Sequence, residues 1–338
     1  MVNTDNTSEL LIGSLAIAAA VLGLSGCTVY LSRYESTRSL MDTFVTITIY
    51  DTDEESASEA LNAAFDRIEE IEKKASIFDE TAEAFCLNRD GYLDNPSVDL
   101  LKLIKRAKEY YCLTDGYFDI TVQPLLELWS EGELWKESPQ EQQAKIDEAM
   151  QFVGCNNISI RNNEIYFNMD GMKITLGGIT KGYAAQEALH VIADKGIKHA
   201  LVNLGGDMSA LGDKPDDKLW QVSLVNPDDT SQSLATFEIN DKCIATSGNY
   251  IRYFDTDKKA GHILSPRTGY SSSECISVTV IADKGGKTDA LATAIFVMGF
   301  EAGLKLVESL DDVECLIVDK DRIIHKSSGM DEFLSEGQ

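Results

Sequence analysis

The 338-residue chain is short of positive charge: 30 Lys and Arg stand against 56 Asp and Glu, a net charge of −26. A surface of that sign repels a polyanion, which excludes nucleic acid as a partner. A smaller anionic ligand would need local help from a metal ion or a helix N-terminus. Histidine is scarce, with four residues, and neither Cys-x-x-Cys nor any other zinc spacing occurs. The Gly-x-x-x-x-Gly-Lys-[Ser/Thr] phosphate loop is missing. No internal repeat and no low-complexity linker divides the chain. The uncharged run L-L-I-G-S-L-A-I-A-A-A-V-L-G-L at residues 10–24 falls short of the roughly 20 residues of a membrane span.

Hydrophobic content of 43% and charged content of 25% are ordinary for a globular protein with a sizeable core. The run at 10–24 has the length of a signal-peptide h-region. It leads into Leu24-Ser25-Gly26-Cys27, which resembles the lipobox of bacterial lipoproteins, where the cysteine is lipidated. The first ten residues depart from a normal n-region, with no Lys or Arg and two acids. The reading is a signal peptide over 1–27 ending at the lipidated Cys27, a tether over 28–38, and one domain over 39–338. The alternatives are an uncleaved anchor or a buried helix. An extracytoplasmic location on the membrane follows from the first reading. Six cysteines remain (Cys86, Cys112, Cys155, Cys243, Cys275 and Cys315). Their scatter is unlike a disulfide scaffold, and free buried thiols are expected.

Residues 44–50, F-V-T-I-T-I-Y, alternate and are β-branched, as a strand requires. Residues 54–75, 99–111 and 139–153 show helical spacing of apolar positions. Residues 158–160 and 165–168 bracket a turn and read as a hairpin. A short strand is expected at 173–176, then a helix to about 195. Strands follow at 199–202, 219–225, 235–240 and 277–282, helices from 289 and 301, and a closing hairpin at 313–325. Helices and strands mix without strict alternation, which predicts an α+β fold with mixed or antiparallel sheets flanked by helices.

Four segments carry chemistry. L-G-G-I-T-K-G-Y at 176–183 lies between a strand and a helix, so its backbone N–H groups and Lys181 can meet an anion. N-L-G-G-D at 203–207 puts Asp207 on a tight turn. A-T-S-G-N-Y at 245–250 and H-I-L-S-P-R-T-G at 262–269 place His262 in a dense polar loop, a residue type suited to proton transfer or a ring contact. In T-D-A-L-A-T at 288–293, Thr288 fits a helix N-cap and Asp289 the first turn. Thr293 lies four residues on, on the same face. Two oxygen ligands facing one way suit Mg²⁺ completed by substrate phosphates. Each segment alone also reads as an ordinary turn, surface lysine or helix-start acid.

Taken in order, these segments resemble the ApbE family of FAD:protein FMN transferases, whose domain is T-fold-like. Met41-Asp42-Thr43, Ala75-Ser76-Ile77-Phe78, Leu87-Asn88, and Asp115 to Thr121 with Pro124-Leu125 and Trp129 extend the match. The resemblance implies that Met41, Phe78, Tyr117, Phe118, Asp119, Thr175, Lys181, His262 and Ile263 contact FAD. It implies that Gly178, through its carbonyl, joins Asp289 and Thr293 around Mg²⁺. Thr175, Thr180, Gln186 and Ser265 depart from the family's usual residues. The implied reaction is Mg²⁺-dependent transfer of FMN from FAD to a threonine of an acceptor flavoprotein, with release of AMP. Lys181 would assist, and His262 or Asp207 would act as base. Implied acceptors are flavin-carrying subunits of membrane redox ion pumps or related extracytoplasmic flavoproteins. Two rivals are an FAD pyrophosphatase using water and a non-catalytic FAD-binding lipoprotein.

Overall fold

The alternating stretch at 44–50 organises the fold, because it buries Val45, Ile47 and Ile49 completely on one face. The computed structural model describes residues 30–131, 134–226, 229, 231–248, 253–254 and 261–335. The first elements in chain order are β1 (Ser32–Leu40), β2 (Thr43–Asp51), α1 (Glu54–Ala75), α2 (Glu83–Asp90), β3 (Tyr92–Asp94), α3 (Val98–Leu113), α4 (Gln123–Ser130) and α5 (Pro139–Met150). Next come β4 (Ile158–Arg161), β5 (Glu164–Phe167), α6 (Thr180–Asp194), β6 (His199–Leu204), β7 (Asp207–Leu211), β8 (Trp220–Val225) and β9 (Ser233–Ile239). The last are β10 (Cys243–Gly248), β11 (Cys275–Ala282), α7 (Gly285–Met298), α8 (Phe300–Val307), β12 (Val313–Asp319) and β13 (Ile324–Lys326).

Eight strands form one sheet in the order β1-β2-β6-β7-β10-β11-β12-β13, antiparallel throughout. Helices α1, α6 and α7 pack on one face. Helix α7 is apolar nearly all round, which suits a helix enclosed by the sheet and other helices. The β8–β9 hairpin covers part of the opposite face, seating Trp220, Val222, Leu224 and Phe237 on Ile244, Ile281, Leu316 and Val318. A small sheet, β3-β5-β4, packs with α2 and α3 around the start of α6 and α7, where Ile179, Ala290 and Ala294 are buried. The α+β, antiparallel architecture is the one expected.

Several local expectations need correction. The tether ends early, because β1 occupies 32–40 and pairs with β2 along its whole length. That strand is polar and its pairing is supported by hydroxyls: Thr48 Oγ1 donates to Glu35 at 2.6 Å, and Thr37 and Thr46 share a bond of 2.9 Å. Residues 173–176 are not a strand. Asn88 stands in for a ladder neighbour there, with Nδ2 donating to Ile174 O at 2.8 Å and Oδ1 accepting Ile174 N–H at 2.7 Å. Strands β3, β7 and β10 and helices α2 and α4 were not expected. The six cysteines are free, with Cys155, Cys243, Cys275 and Cys315 buried as expected, Cys86 half-buried and Cys112 exposed. The run at 10–24 and Cys27 lie outside the described residues. Among the described residues no helix is long and apolar enough to cross a membrane.

Candidate functional site

Helices α6 and α7 touch backbone to backbone. A Cβ on Gly182 would lie 2.1 Å from Gly285 O, and one on Gly285 would lie 2.0 Å from Gly182 O. Two glycines facing one another permit this approach. It carries Asp289 of α7 to the first turn of α6, where Oδ2 accepts the Gly182 N–H at 3.1 Å. That N–H is among the unpaired donors that open any helix, so Asp289 caps α6 from a different helix. The expected Thr288 N-cap does not occur. Helix α7 starts at Gly285, and Thr288 Oγ1 donates to Lys284 O at 2.8 Å. Asp289 therefore sits in the second turn of its own helix, 5% exposed, where the macrodipole of α7 does not explain it.

One turn further along α7, Thr293 meets Gly178. A Cβ on Gly178 would stand 3.1 Å from Thr293 Oγ1 and 3.3 Å from the Phe118 ring. Thr293 Oγ1 also lies 3.2 Å from Ser247 Oγ of β10. In a regular helix the Gly182 N–H would reach the Gly178 carbonyl; its bond to Asp289 leaves that carbonyl without a backbone donor among the described residues. On the other side, Lys181 Nζ lies 2.7 Å from Asp207 Oδ2. Asp207 starts β7 after the Gly205-Gly206 turn, which Asn203 Oδ1 closes by accepting Gly206 N–H at 2.9 Å. Gly205 is left-handed, with φ 63°, and a Cβ there would meet Thr43 Oγ1 at 2.3 Å.

The electrostatics are unbalanced. Burial pushes the Asp207 carboxyl up, against the pull of Lys181. Asp289 is pushed up to about 8, by burial and then by the charge of Asp207, with Lys181 and the Gly182 N–H opposing. One ammonium thus serves two buried carboxylates. A hydroxyl, a carbonyl and a carboxylate beside that surplus negative charge form a hard-oxygen donor set suited to Mg²⁺. Among the described residues no group of three or more His, Cys, Asp or Glu could hold a metal alone. A metal here would need ligand oxygens to complete its shell.

Phe118 is 4% exposed and lies edge-on to Tyr110. The Tyr117 ring carries the Arg267 guanidinium at 4.2 Å and packs with the cluster holding Ile263, Leu291 and Ile295. His262 precedes Ile263 and is half-buried. The Asp119 carboxylate turns inward, to the protein's own donors. Oδ1 accepts from Thr121 N (2.8 Å) and Thr121 Oγ1 (2.6 Å), and Oδ2 accepts from Cys155 N at 3.0 Å. Thr175 supports the glycine turn: its N–H donates to Ile120 O at 2.7 Å and its Oγ1 accepts from Gly177 N at 3.3 Å. Met41 and Phe78 make their contacts with α1 and its end. Met41 N–H donates to Glu72 at 2.7 Å, and Phe78, 87% exposed, donates its N–H to Ser76 Oγ at 3.2 Å.

Sequence reasoning missed the glycine crossing, although Gly182 sat inside a singled-out motif. It also missed a second charged cluster along α6. Arg67 of α1 donates to both oxygens of Asp99 at 2.7 and 2.6 Å and to Glu187 at 2.7 Å, and Tyr183 OH donates to Asp99 at 2.6 Å. A charged residue beside the apolar stripe of α1 carries no distinctive signal.

Residues 41–317 match the ApbE family. An FAD:protein FMN transferase of Klebsiella pneumoniae is 31% identical over 232 residues, spanning 68% of this chain and 72% of that relative. One of Haemophilus influenzae is 26% identical over 97% of this chain and 99% of its own. The crystal structure of the ApbE protein of Thermotoga maritima superposes with a TM-score of 0.81 at 29% identity, over 90% of this chain and 100% of that one. The flavin transferase ApbE of Vibrio cholerae gives 0.78 at 24% identity over the same shares.

Proposed function

The chain belongs to the ApbE family, and from that premise we propose that this enzyme transfers FMN from FAD to a threonine hydroxyl of an acceptor flavoprotein, with Mg²⁺ and with release of AMP. The observation that carries the reading is the pair of buried acids, Asp207 and Asp289, sharing Lys181 beside Thr293 and the Gly178 carbonyl. Asp289, Thr293 and that carbonyl would hold Mg²⁺. When bound, the ion supplies charge neutralisation and Lewis-acid polarisation of the diphosphate.

The residues of the chain do the rest. Ser247 orients the Thr293 hydroxyl. Lys181 places a cation at the start of α6, where an anionic diphosphate is favoured. Met41, Phe78, Tyr117, Phe118 and Ile263 supply apolar surface for a flavin. The threonine oxygen bonds to the FMN-side phosphorus, the bridging P–O bond breaks, and AMP leaves with the bridging oxygen. The hydroxyl proton passes to Asp207 or His262, and the pH–rate profiles of Asp207→Asn and His262→Gln separate these two. Lipidation at Cys27 would hold the enzyme outside the cytoplasm, beside flavin-carrying subunits of membrane redox pumps or related flavoproteins. Labelled fatty acid should then enter the wild type and not Cys27→Ser.

Intact-mass analysis of a candidate acceptor incubated with the enzyme, FAD and Mg²⁺ tests the reaction. The expected result is one FMN on threonine with equimolar AMP. AMP release without acceptor modification would instead mark an FAD pyrophosphatase, and undiminished transfer by Asp289→Ala would sink the metal-site reading.

A further inference from the structure

Residues 114–119, which follow α3, and residues 261–272, which precede β11, both contribute to the candidate site. We propose that Arg267 is a positioning residue, a latch that holds the His262–Ile263 segment to Tyr117 and so sets the geometry of the FAD-binding wall. The inference rests on the FMN-transfer reading for its ligand.

The loop at 261–272 is a closed unit. Ser265 N–H donates to Tyr270 O at 2.8 Å, Gly269 N–H to Ser265 O at 2.8 Å, and Ser272 N–H to Ile263 O at 3.0 Å. Its rear is fixed to α4 and α5. Trp129 Nε1 donates to Gly269 O at 2.8 Å, and Gly269, with φ 74°, sits so close to α5 that a Cβ would meet Ile146 at 2.4 Å. Its front is held by Arg267. The guanidinium lies 4.2 Å over the Tyr117 ring, and Nη2 donates to Asp115 O at 2.5 Å and to the Asp115 carboxylate. Asp115 is itself constrained, being left-handed with φ 52° and followed by Gly116, whose N–H returns to Tyr111 O at 2.8 Å.

A planar fork that stacks flat on a ring and donates at once is specific to arginine; lysine keeps the charge and loses that fork. The contact continues to the reacting centre. Phe118, adjacent to Tyr117, lies against Gly178, and Gly178 lies against Thr293. Loosening Arg267 therefore frees the His262 loop from the segment that abuts the metal-holding residues. The side chains of Arg267 and Asp115 are 43% and 90% exposed, so the latch adds little to global stability. That separates its effect on the site from unfolding.

The test compares the full chain with Arg267→Lys, Arg267→Ala and Asp115→Asn by FAD titration, transfer kinetics, thermal unfolding and amide hydrogen exchange. Both Arg267 variants should raise Kd and KM for FAD by about tenfold, with kcat within about threefold of wild type. Asp115→Asn should fall between them and wild type. Unfolding temperature should hardly move, while exchange at 114–118 and 262–268 should quicken in the FAD-free protein. A purely structural role would lower the unfolding temperature and leave the split between KM and kcat untouched. Wild-type FAD affinity and wild-type exchange in both Arg267 variants would overturn the inference. A wild type that binds no FAD would overturn the functional reading instead, and exchange in the FAD-free protein would still decide the latch.

Discussion

Two clusters on neighbouring turns of α6 each gather carboxylates around one cation, with opposite electrostatics: Arg67 serves Asp99, Glu187 and, at 3.5 Å, the exposed Glu70, while Lys181 serves Asp207 and Asp289. In the first, the Arg67 fork reaches Asp99 and Glu187, whose side chains keep 14% and 20% of their exposure. Hydrogen bonds from Arg67, and then from Tyr183, hold Asp99 below the usual carboxylate range despite burial. In the second, Lys181 offers a point charge to Asp207, and among the described residues Asp289 has only the Gly182 N–H as a direct donor. Both acids there are raised by burial. The first cluster satisfies its charges internally and braces three helices. Among the described residues the second leaves negative charge unmatched in a buried place, as a site built to receive a cation and its ligand does.

The largest effect should come from removing the unmatched acid. Asp289→Ala should lower FMN transfer by about three orders of magnitude, the weight of a metal-assisted step, as read from acceptor flavinylation rates. Breaking the satisfied cluster should act on stability. Arg67→Ala leaves two acids without their cation and should cost about 2–3 kcal/mol, below the fully buried case because these groups retain some solvent. Urea unfolding measures this, and the Mg²⁺ requirement of transfer should stay unchanged.

Acidity sharpens the contrast. The folded pKa of Asp289 stands above its unfolded value, so the metal-free fold binds a proton that the unfolded chain has already released. Its contribution is fully present below the ordinary carboxylate value and is lost as pH rises toward about 8. Asp99 has the opposite sign: its contribution is present above the ordinary value and is lost as pH falls through its depressed one. Asp289→Asn should therefore raise the metal-free unfolding temperature at pH 8 by a few degrees, equivalent to about 1–2 kcal/mol, and flatten the slope between pH 5 and 8. The smallest effect is expected of Tyr183→Phe, which deletes one hydrogen bond to Asp99 at a cost of about 1 kcal/mol and leaves that slope alone.

Much of the satisfied architecture was legible in the sequence because periodicity reports burial. The spacing of Ala60, Ala64, Phe65, Ile68 and Ile71 revealed α1, and F-V-T-I-T-I-Y revealed β2. Motif order revealed Lys181, Asp207, Asp289 and Thr293, which do converge. Long-range geometry was not legible. The helix was expected from Asp289, yet α7 opens at Gly285, where the approach to Gly182 excludes any side chain. S-R-Y-E-S-T-R at 32–38 read as part of a tether, because a polar edge strand draws its order from the partner ladder. The motif around Asp119 says nothing of Cys155, 36 residues away, whose N–H its carboxylate accepts.

Isothermal titration of Mg²⁺ into the FAD-loaded protein, repeated in buffers of different ionisation enthalpy, tests most directly whether the unmatched acids form the metal site. The expected result is single-site binding with proton release near neutral pH, lost in Asp289→Asn and preserved in Arg67→Ala. Equal Mg²⁺ affinity in wild type and Asp289→Asn, or no binding by either, would contradict it.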